Sequence, residues 1–325
     1  MATQVVLDPA AAAATSVFQP GKLSVEVISV DHDALPAPPP LPILIAAPKD
    51  AGSYPVAMLL HGFFLQNRFY EQLLKHVASF GFVMVAPQFH TSLASSGGDA
   101  DDIAAAARVT DWLPGGLPSF LRAGVEADLS KLALAGHSRG RNTAFALALG
   151  HAEITAAGLR FSALIGLDPV AGTGRSSQLP PAILTYEPSS FDLAGAPPVL
   201  VVGTGLGDEK ENALFPPCAP AEVGHAEFYR ECRAPCYHLV AKDYGHLDML
   251  DDDAPKLVTC LCKGGNGCKD VMRRTVAGIM VAFLRSALEE EEDGALKAIL
   301  SDPGGSHRPH WTLWSTGWRE QKDRR

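Results

Sequence analysis

Residues 22 to 31 (KLSVEVISVD) alternate apolar and polar side chains, the period of a half-buried strand, and residues 42 to 47 (PILIAA) predict a second. Residues 55 to 60 (PVAMLL) and 82 to 87 (FVMVAP) are unbroken apolar runs, as expected of strands covered on both faces. Between them, Tyr70, Leu73, Leu74 and Val77 recur at helical spacing, and Gly81 stops the helix predicted over 68–79. A Gly/Ser/Asp loop at 95–102 precedes a short amphipathic helix at 103–113. Further strands are predicted at 130–135, 161–167, 198–203 and 236–241, with a helix starting right after Ser138 and a closing helix at 270–287. Strands that alternate with helices predict an α/β fold: a mostly parallel central sheet with helices on both faces. The run at 35–42 (LPAPPPLP) is a stiff loop between the first two strands. We divide the chain into a flexible N-terminal segment (1–20), a catalytic domain (21–290) and a C-terminal tail (291–325). Trp311, Trp314 and Trp318 in that tail are spaced to share one face if it is helical, and docking of the tail on the domain explains them better than ligand binding.

Residues 136–140 read Gly-His-Ser-Arg-Gly, a G-x-S-x-G between a predicted strand and a predicted helix. In that context the pattern predicts a nucleophile elbow, which lifts the Ser138 hydroxyl above the sheet at a helix N-terminus. A serine hydroxyl needs a base to take its proton. His246, in DYGHLD after the last predicted strand, is placed for that role, whereas His225 and His238 precede or lie within the strand and should point elsewhere. The third member is a carboxylate that orients the imidazole. Asp168, in GLDPV, and Asp208, in GTGLGD, each follow a suitable strand, and position alone does not separate them. The oxyanion hole is expected from the backbone N–H groups of Arg139 and Phe63, each such donor stabilising the transition state by roughly 3 kcal/mol.

Composition narrows the partners. A net charge of −9 argues against nucleic acid, which needs clustered Lys and Arg; the basic end, Arg319 to Arg325, is interrupted by Glu320 and Asp323 and reads as solvated. No stretch reaches the roughly 18 apolar residues of a spanning helix. Residues 1–20 lack the pattern of a secretory signal; they are Ala-rich and acid-poor like a transit peptide, yet contain no Arg. Six cysteines (Cys218, Cys232, Cys236, Cys260, Cys262 and Cys268) fall in one window around His246, consistent with disulfides pinning an insertion, with reduced structural thiols or with a metal site.

The run Leu132–Gly140 (LALAGHSRG), Gly166–Val170 (GLDPV), the His61-Gly62-Phe63 turn and the Asp243–Asp248 loop together resemble plant chlorophyllase, over roughly residues 20–290. The resemblance implies an α/β-hydrolase that cleaves the phytyl ester of chlorophyll, releasing chlorophyllide and phytol. It implies Asp168 rather than Asp208 as the acid, no metal or other cofactor (the magnesium belongs to the pigment), and a chloroplast location. A cytosolic or vesicle- or ER-surface location and peripheral membrane association stay open, as does oligomeric state. The sequence departs from the family pattern at Arg141, where a second Gly usually follows the elbow, a change expected to affect packing at the helix start more than chemistry. Phe64, Phe89 and Trp112 are candidate walls for the substrate, since apolar burial yields roughly 0.8 kcal/mol per CH2. Two alternatives remain at this stage: a broader lipase or esterase with the same triad, and a non-catalytic pigment carrier on the same scaffold.

Overall fold

Strands whose side chains are apolar on both faces must be covered twice, and that requirement organises the chain. In a computed structural model the residues described are 16–89, 98–213, 215–289, 294–302 and 313–319, with positions 98, 99, 141 and 313–319 described by backbone only. Its strands are β1 (Val25–Val30), β2 (Ile43–Pro48), β3 (Gly52–Leu60), β4 (Val83–Pro87), β5 (Val125–His137), β6 (Phe161–Leu167), β7 (Val199–Thr204), β8 (Cys236–Ala241) and β9 (Leu313–Arg319). The helices are α1 (Glu71–Ala78), α2 (Gly98–Gly116), α3 (Arg139–Ala148), α4 (His225–Glu231), α5 (Lys256–Thr259), α6 (Lys269–Leu284) and α7 (Ala295–Ser301). Among the described residues nine strands form one sheet in the order β1-β2-β4-β3-β5-β6-β7-β8-β9. Pairing is parallel from β4 through β8 and antiparallel where β1, β2 and β9 join. This is the expected α/β-hydrolase architecture.

Alternation along each strand divides the buried side chains between two cores. On β3, Val56, Met58 and Leu60 face one side and Ala57 and Leu59 the other. The first side is closed by α2, α3 and α4 through Val109, Leu113, Phe145 and Phe228. The second is closed by α1, α6 and α7 through Leu73, Leu74, Val77, Ile279 and Ile299. Registers place Leu60 opposite Gly136 and Gly136 opposite Gly166, while β7 and β8 end together at Thr204 and Ala241. The loops leaving the carboxyl ends of β3, β5, β6, β7 and β8 therefore emerge side by side, where open α/β sheets bind their ligands.

The boundaries drawn at residues 20 and 290 do not follow the packing. Val17 and Phe18 are buried, Phe18 lies against α6 at Gly278, and the His76 ring donates to the Val17 carbonyl at 2.8 Å. Residues 1–15 lie outside the described residues. At the other end Leu296 and Ile299 are buried, and residues 313–319 form a strand rather than a helix. The spacing of the tryptophans misled here, because an open edge on β8 offers unpaired backbone groups that a β-rich segment completes. Trp311 lies outside the described residues. Phe18→Ala is expected to lower unfolding free energy by about 3 kcal/mol in urea melts, since it empties a core position; an unchanged midpoint would show that the segment is dispensable.

Candidate active site

The elbow is built by close approach. Ser138 sits at φ 55° and ψ −127°, an uncommon conformation for a residue with a side chain, and α3 starts at the next residue. A Cβ at position 140 would lie 2.2 Å from the His61 carbonyl oxygen, so only Gly lets the helix start rest on the end of β3. Gly62 is constrained in the same way, because a Cβ there would come within 2.9 Å of Ser138 Cβ. The strand–turn–helix therefore presses the His61-Gly62-Phe63 turn against the serine. Ser138 itself is half-buried and reachable from outside.

His246 Nε2 lies 2.8 Å from Ser138 Oγ, and His246 Nδ1 lies 2.7 Å from Asp168 Oδ2. With Nδ1–H donating to the carboxylate, Nε2 presents its lone pair to the hydroxyl proton. Asp168 is fully buried and sits at φ 34°. Its carboxylate turns inward beneath the imidazole. The Thr204 N–H donates to Oδ1 at 2.9 Å and the Thr204 hydroxyl to Oδ2 at 2.6 Å. Burial by itself would raise the Asp168 pKa, but the hydrogen bond and charge of His246, the nearby His225 and the Thr204 hydroxyl outweigh it and hold the carboxylate below its usual range. Asp208 lies exposed on the loop after β7. His225 and His238 pair with each other at 2.9 Å.

The polar shell behind these residues was not visible in the sequence. His137, directly before Ser138, is buried between the Tyr70 hydroxyl at 2.6 Å and the His246 carbonyl oxygen at 3.0 Å. His61 donates from Nδ1 to the Gly62 carbonyl at 2.8 Å, and its Nε2 accepts the Phe89 N–H at 2.9 Å. Burial pushes the pKa of His61 down to about 4 and that of His137 to about 3, so both stay neutral at ordinary pH. Asp248, two residues past His246, accepts the N–H groups of Gly245 and Gly265, each at 2.7 Å. Only the position of His137 within G-x-S-x-G could have drawn attention to it.

A pocket of about 410 Å³ opens over Ser138 and His246. Its walls include Phe64, Leu65, Val170, Leu179, Val258 and Leu261. One side is closed by a disulfide, Cys218–Cys262, which ties the loop after β7 to the segment between α5 and α6. Arg139, the first residue of α3, bonds Asp102 at 3.1 Å and lies 5.0 Å from the centre of the Phe63 ring. Phe63 and Phe64 stand exposed at the pocket mouth. Two expected wall residues are not brought to it. Phe89 packs on His61 beside a separate depression lined by Gln66 and Gln88, and Trp112 donates to the Ala37 carbonyl and packs near Phe120. Both side chains serve the core beneath α2, an outcome that their apolar character alone does not reveal. Of the remaining cysteines, Cys232 and Cys236 are buried thiols and Cys260 and Cys268 exposed ones. Among the described residues no group of three or more His, Cys, Asp or Glu is gathered as a metal site, and no helix is long and apolar enough to cross a membrane.

A family model described as Chlorophyllase matches residues 13–309. The chain is 47% identical over 296 residues to chlorophyllase-2 of Arabidopsis thaliana, covering 86% of this chain and 91% of that protein. It is 46% identical to chlorophyllase-1 of the same plant, over 89% of each chain. The protein named chlorophyllase-1, chloroplastic, of Citrus unshiu is 39% identical over 90% of this chain and 86% of its own.

Asp168→Asn should lower kcat on a short aryl ester by about 10⁴-fold through loss of the correct imidazole tautomer, while Asp208→Asn should leave it within twofold; the reverse ranking would exclude Asp168 as the acid. Cys218→Ala should cost about 4 kcal/mol of stability, from the entropy of the 44-residue separation that the bridge closes. It should also raise KM for long-chain esters more than for short ones, which side-by-side kinetics would read.

Proposed function

The chain belongs to the chlorophyllase family, and from that we propose that it hydrolyses the phytyl ester of chlorophyll with Ser138 as nucleophile, His246 as base and Asp168 as the orienting acid. The observation carrying the reading is the unbroken chain of contacts from Asp168 through His246 to Ser138, 2.7 and 2.8 Å long, beneath an apolar pocket. In this mechanism Ser138 Oγ attacks the ester carbonyl carbon while its proton passes to His246 Nε2. The resulting oxyanion is held by the backbone N–H groups of Arg139 and Phe63, donors fixed in place before the charge develops. Collapse of the intermediate breaks the bond to the phytyl oxygen, which leaves as phytol with the proton from His246. Water, deprotonated by the same imidazole, then cleaves the acyl-enzyme and frees chlorophyllide. No step draws on a metal or a further cofactor.

The apolar pocket suits a long isoprenoid chain, whose affinity comes from area removed from water. A flat, rigid macrocycle is poorly matched to such a slot. It is better accommodated at the mouth, where the Phe63 and Phe64 rings are 48% and 37% exposed and their centroids lie 4.0 Å apart. With the two ring planes inclined by 50°, one ring can stack on a planar partner while the other meets its edge. Phe64 holds φ 57°, a strained geometry that keeps its ring at the rim. The chloroplastic naming of the Citrus relative supports placing this reaction in the chloroplast, and the exposed aromatic rim suits peripheral contact with membranes that hold the pigment.

Incubation with chlorophyll should yield chlorophyllide and free phytol, identified by mass. Ser138→Ala should give neither product and should lose labelling by a fluorophosphonate. Labelling of wild type without chlorophyll turnover, or equal kcat/KM on chlorophyll and a short aryl ester, would favour a general esterase instead.

A further inference from the structure

Beneath the triad lies a buried pair of polar side chains that touches all three functional loops. Tyr70 is fully buried just before α1, and its hydroxyl lies 3.4 Å from the Gly62 N–H and 2.6 Å from His137 Nδ1. The other ring nitrogen of His137 lies 3.0 Å from the backbone oxygen of His246. We propose that Tyr70 and His137 form a positioning relay that fixes the backbone of the base loop and couples it to the oxyanion turn. The inference rests on the serine-hydrolase reading of this site but not on chlorophyll as the substrate.

The donor pattern admits one consistent arrangement. The His246 carbonyl can only accept, so His137 Nε2 must carry a proton. In a neutral ring Nδ1 is then a lone pair, which the Tyr70 hydroxyl satisfies as donor. The Tyr70 oxygen remains free to accept from Gly62, at a longer distance. A second proton on His137 would remove the acceptor for Tyr70 and place two cations face to face whenever His246 is protonated, the ring centroids being 4.8 Å apart. Burial opposes that state, consistent with the strongly lowered pKa of His137. His246 is thus gripped at two points: its ring by Asp168 and its backbone by His137.

Replacing Tyr70 by Phe keeps the packing and deletes only the hydroxyl. His137 Nδ1 then becomes a buried acceptor with no donor, a cost that the ring relieves by tilting toward another donor. Such a tilt would weaken the Nε2–H bond to the His246 carbonyl oxygen and leave the base loop free to shift from Ser138. Such a displacement acts on proton transfer, where misplacement by an ångström can cost about 100-fold, rather than on the apolar pocket.

The test measures a short aryl ester and a fluorophosphonate, with rates expressed per titratable serine so that misfolded protein does not count. Tyr70→Phe should lower kcat and the inactivation rate constant by about tenfold or more with KM within twofold. His137→Leu should do the same, and the double variant should be no worse than the more damaged single one. His137→Gln, which offers one donor and one acceptor, should recover part of the loss. Rates per site within twofold of wild type in Tyr70→Phe, whatever happens to its melting temperature, would reduce the pair to a structural role. Additive effects in the double variant would also overturn the coupling. Failure of wild type itself to react with the fluorophosphonate would instead remove the serine-hydrolase reading, so the two failures are distinguishable.

Discussion

The carbonyl oxygens of Leu60 and His61 lie so close to position 140 that a methyl group there would come within 2.4 and 2.2 Å of them. That approach of a helix start to a strand end is the constraint from which the site follows. It brings α3 down onto β3 and gives the chain no room for an ordinary turn between β5 and the helix. Ser138 is left in a conformation that points its hydroxyl off the sheet. The strain is local, and a sheet buried on both faces can bear it because the flanking strands are held by long parallel ladders. The same approach presses the oxyanion turn against the serine, so nucleophile and backbone donors are aligned by one packing event.

Around that crossing the protein solves an electrostatic problem. A buried carboxylate is costly unless it is hydrogen-bonded. Asp168 meets the requirement with three donors, from the Thr204 backbone, the Thr204 hydroxyl and His246. The two nearby buried histidines, His61 and His137, are held neutral by the same burial, so neither competes with His246 for the proton or for the carboxylate. Three imidazoles in one neighbourhood therefore have separate duties, set by which partner each ring nitrogen meets.

The sequence made some of this legible and hid the rest for definable reasons. Apolar runs such as 55–60 and 82–87 marked the central strands because doubly covered strands have no other composition available. Ser138 and His246 could be picked out because a strand end followed by small residues is a local pattern. The choice between Asp168 and Asp208 was not legible locally, since burial and the Thr204 contacts depend on how β6 and β7 pair. Phe89 and Trp112 show the opposite error, for their apolar character suits a substrate wall as well as a core, and their rings pack into the core beneath α2. The strand at 313–319 depended on a vacant edge 70 or so residues away in sequence, which no window over the tail contains. The relay of Tyr70 and His137 joins positions 67 residues apart through two ring nitrogens, information that exists only in three dimensions.

The base comes last along the chain and has the least support from its own strand. A loop at the end of a sheet is ordinarily the most mobile part of a fold. Here it is held by one contact within the loop and by several from distant parts of the chain. The Asp248 carboxylate clamps the N–H groups of Gly245 and Gly265, and Lys269 lies 3.5 Å from its other oxygen. The Cys218–Cys262 bridge fixes the neighbouring segment to the loop after β7, and His137 holds the carbonyl of His246 from below. The Asp248–Gly245 contact lies within the loop itself. The others come from the 262–269 segment, the loop after β7 and the end of β5, so the imidazole is placed mainly by parts of the chain distant from its own strand. The strained elbow supplies only the serine, and the base is held by these remote contacts, so a competent site is a property of the whole fold rather than of the elbow.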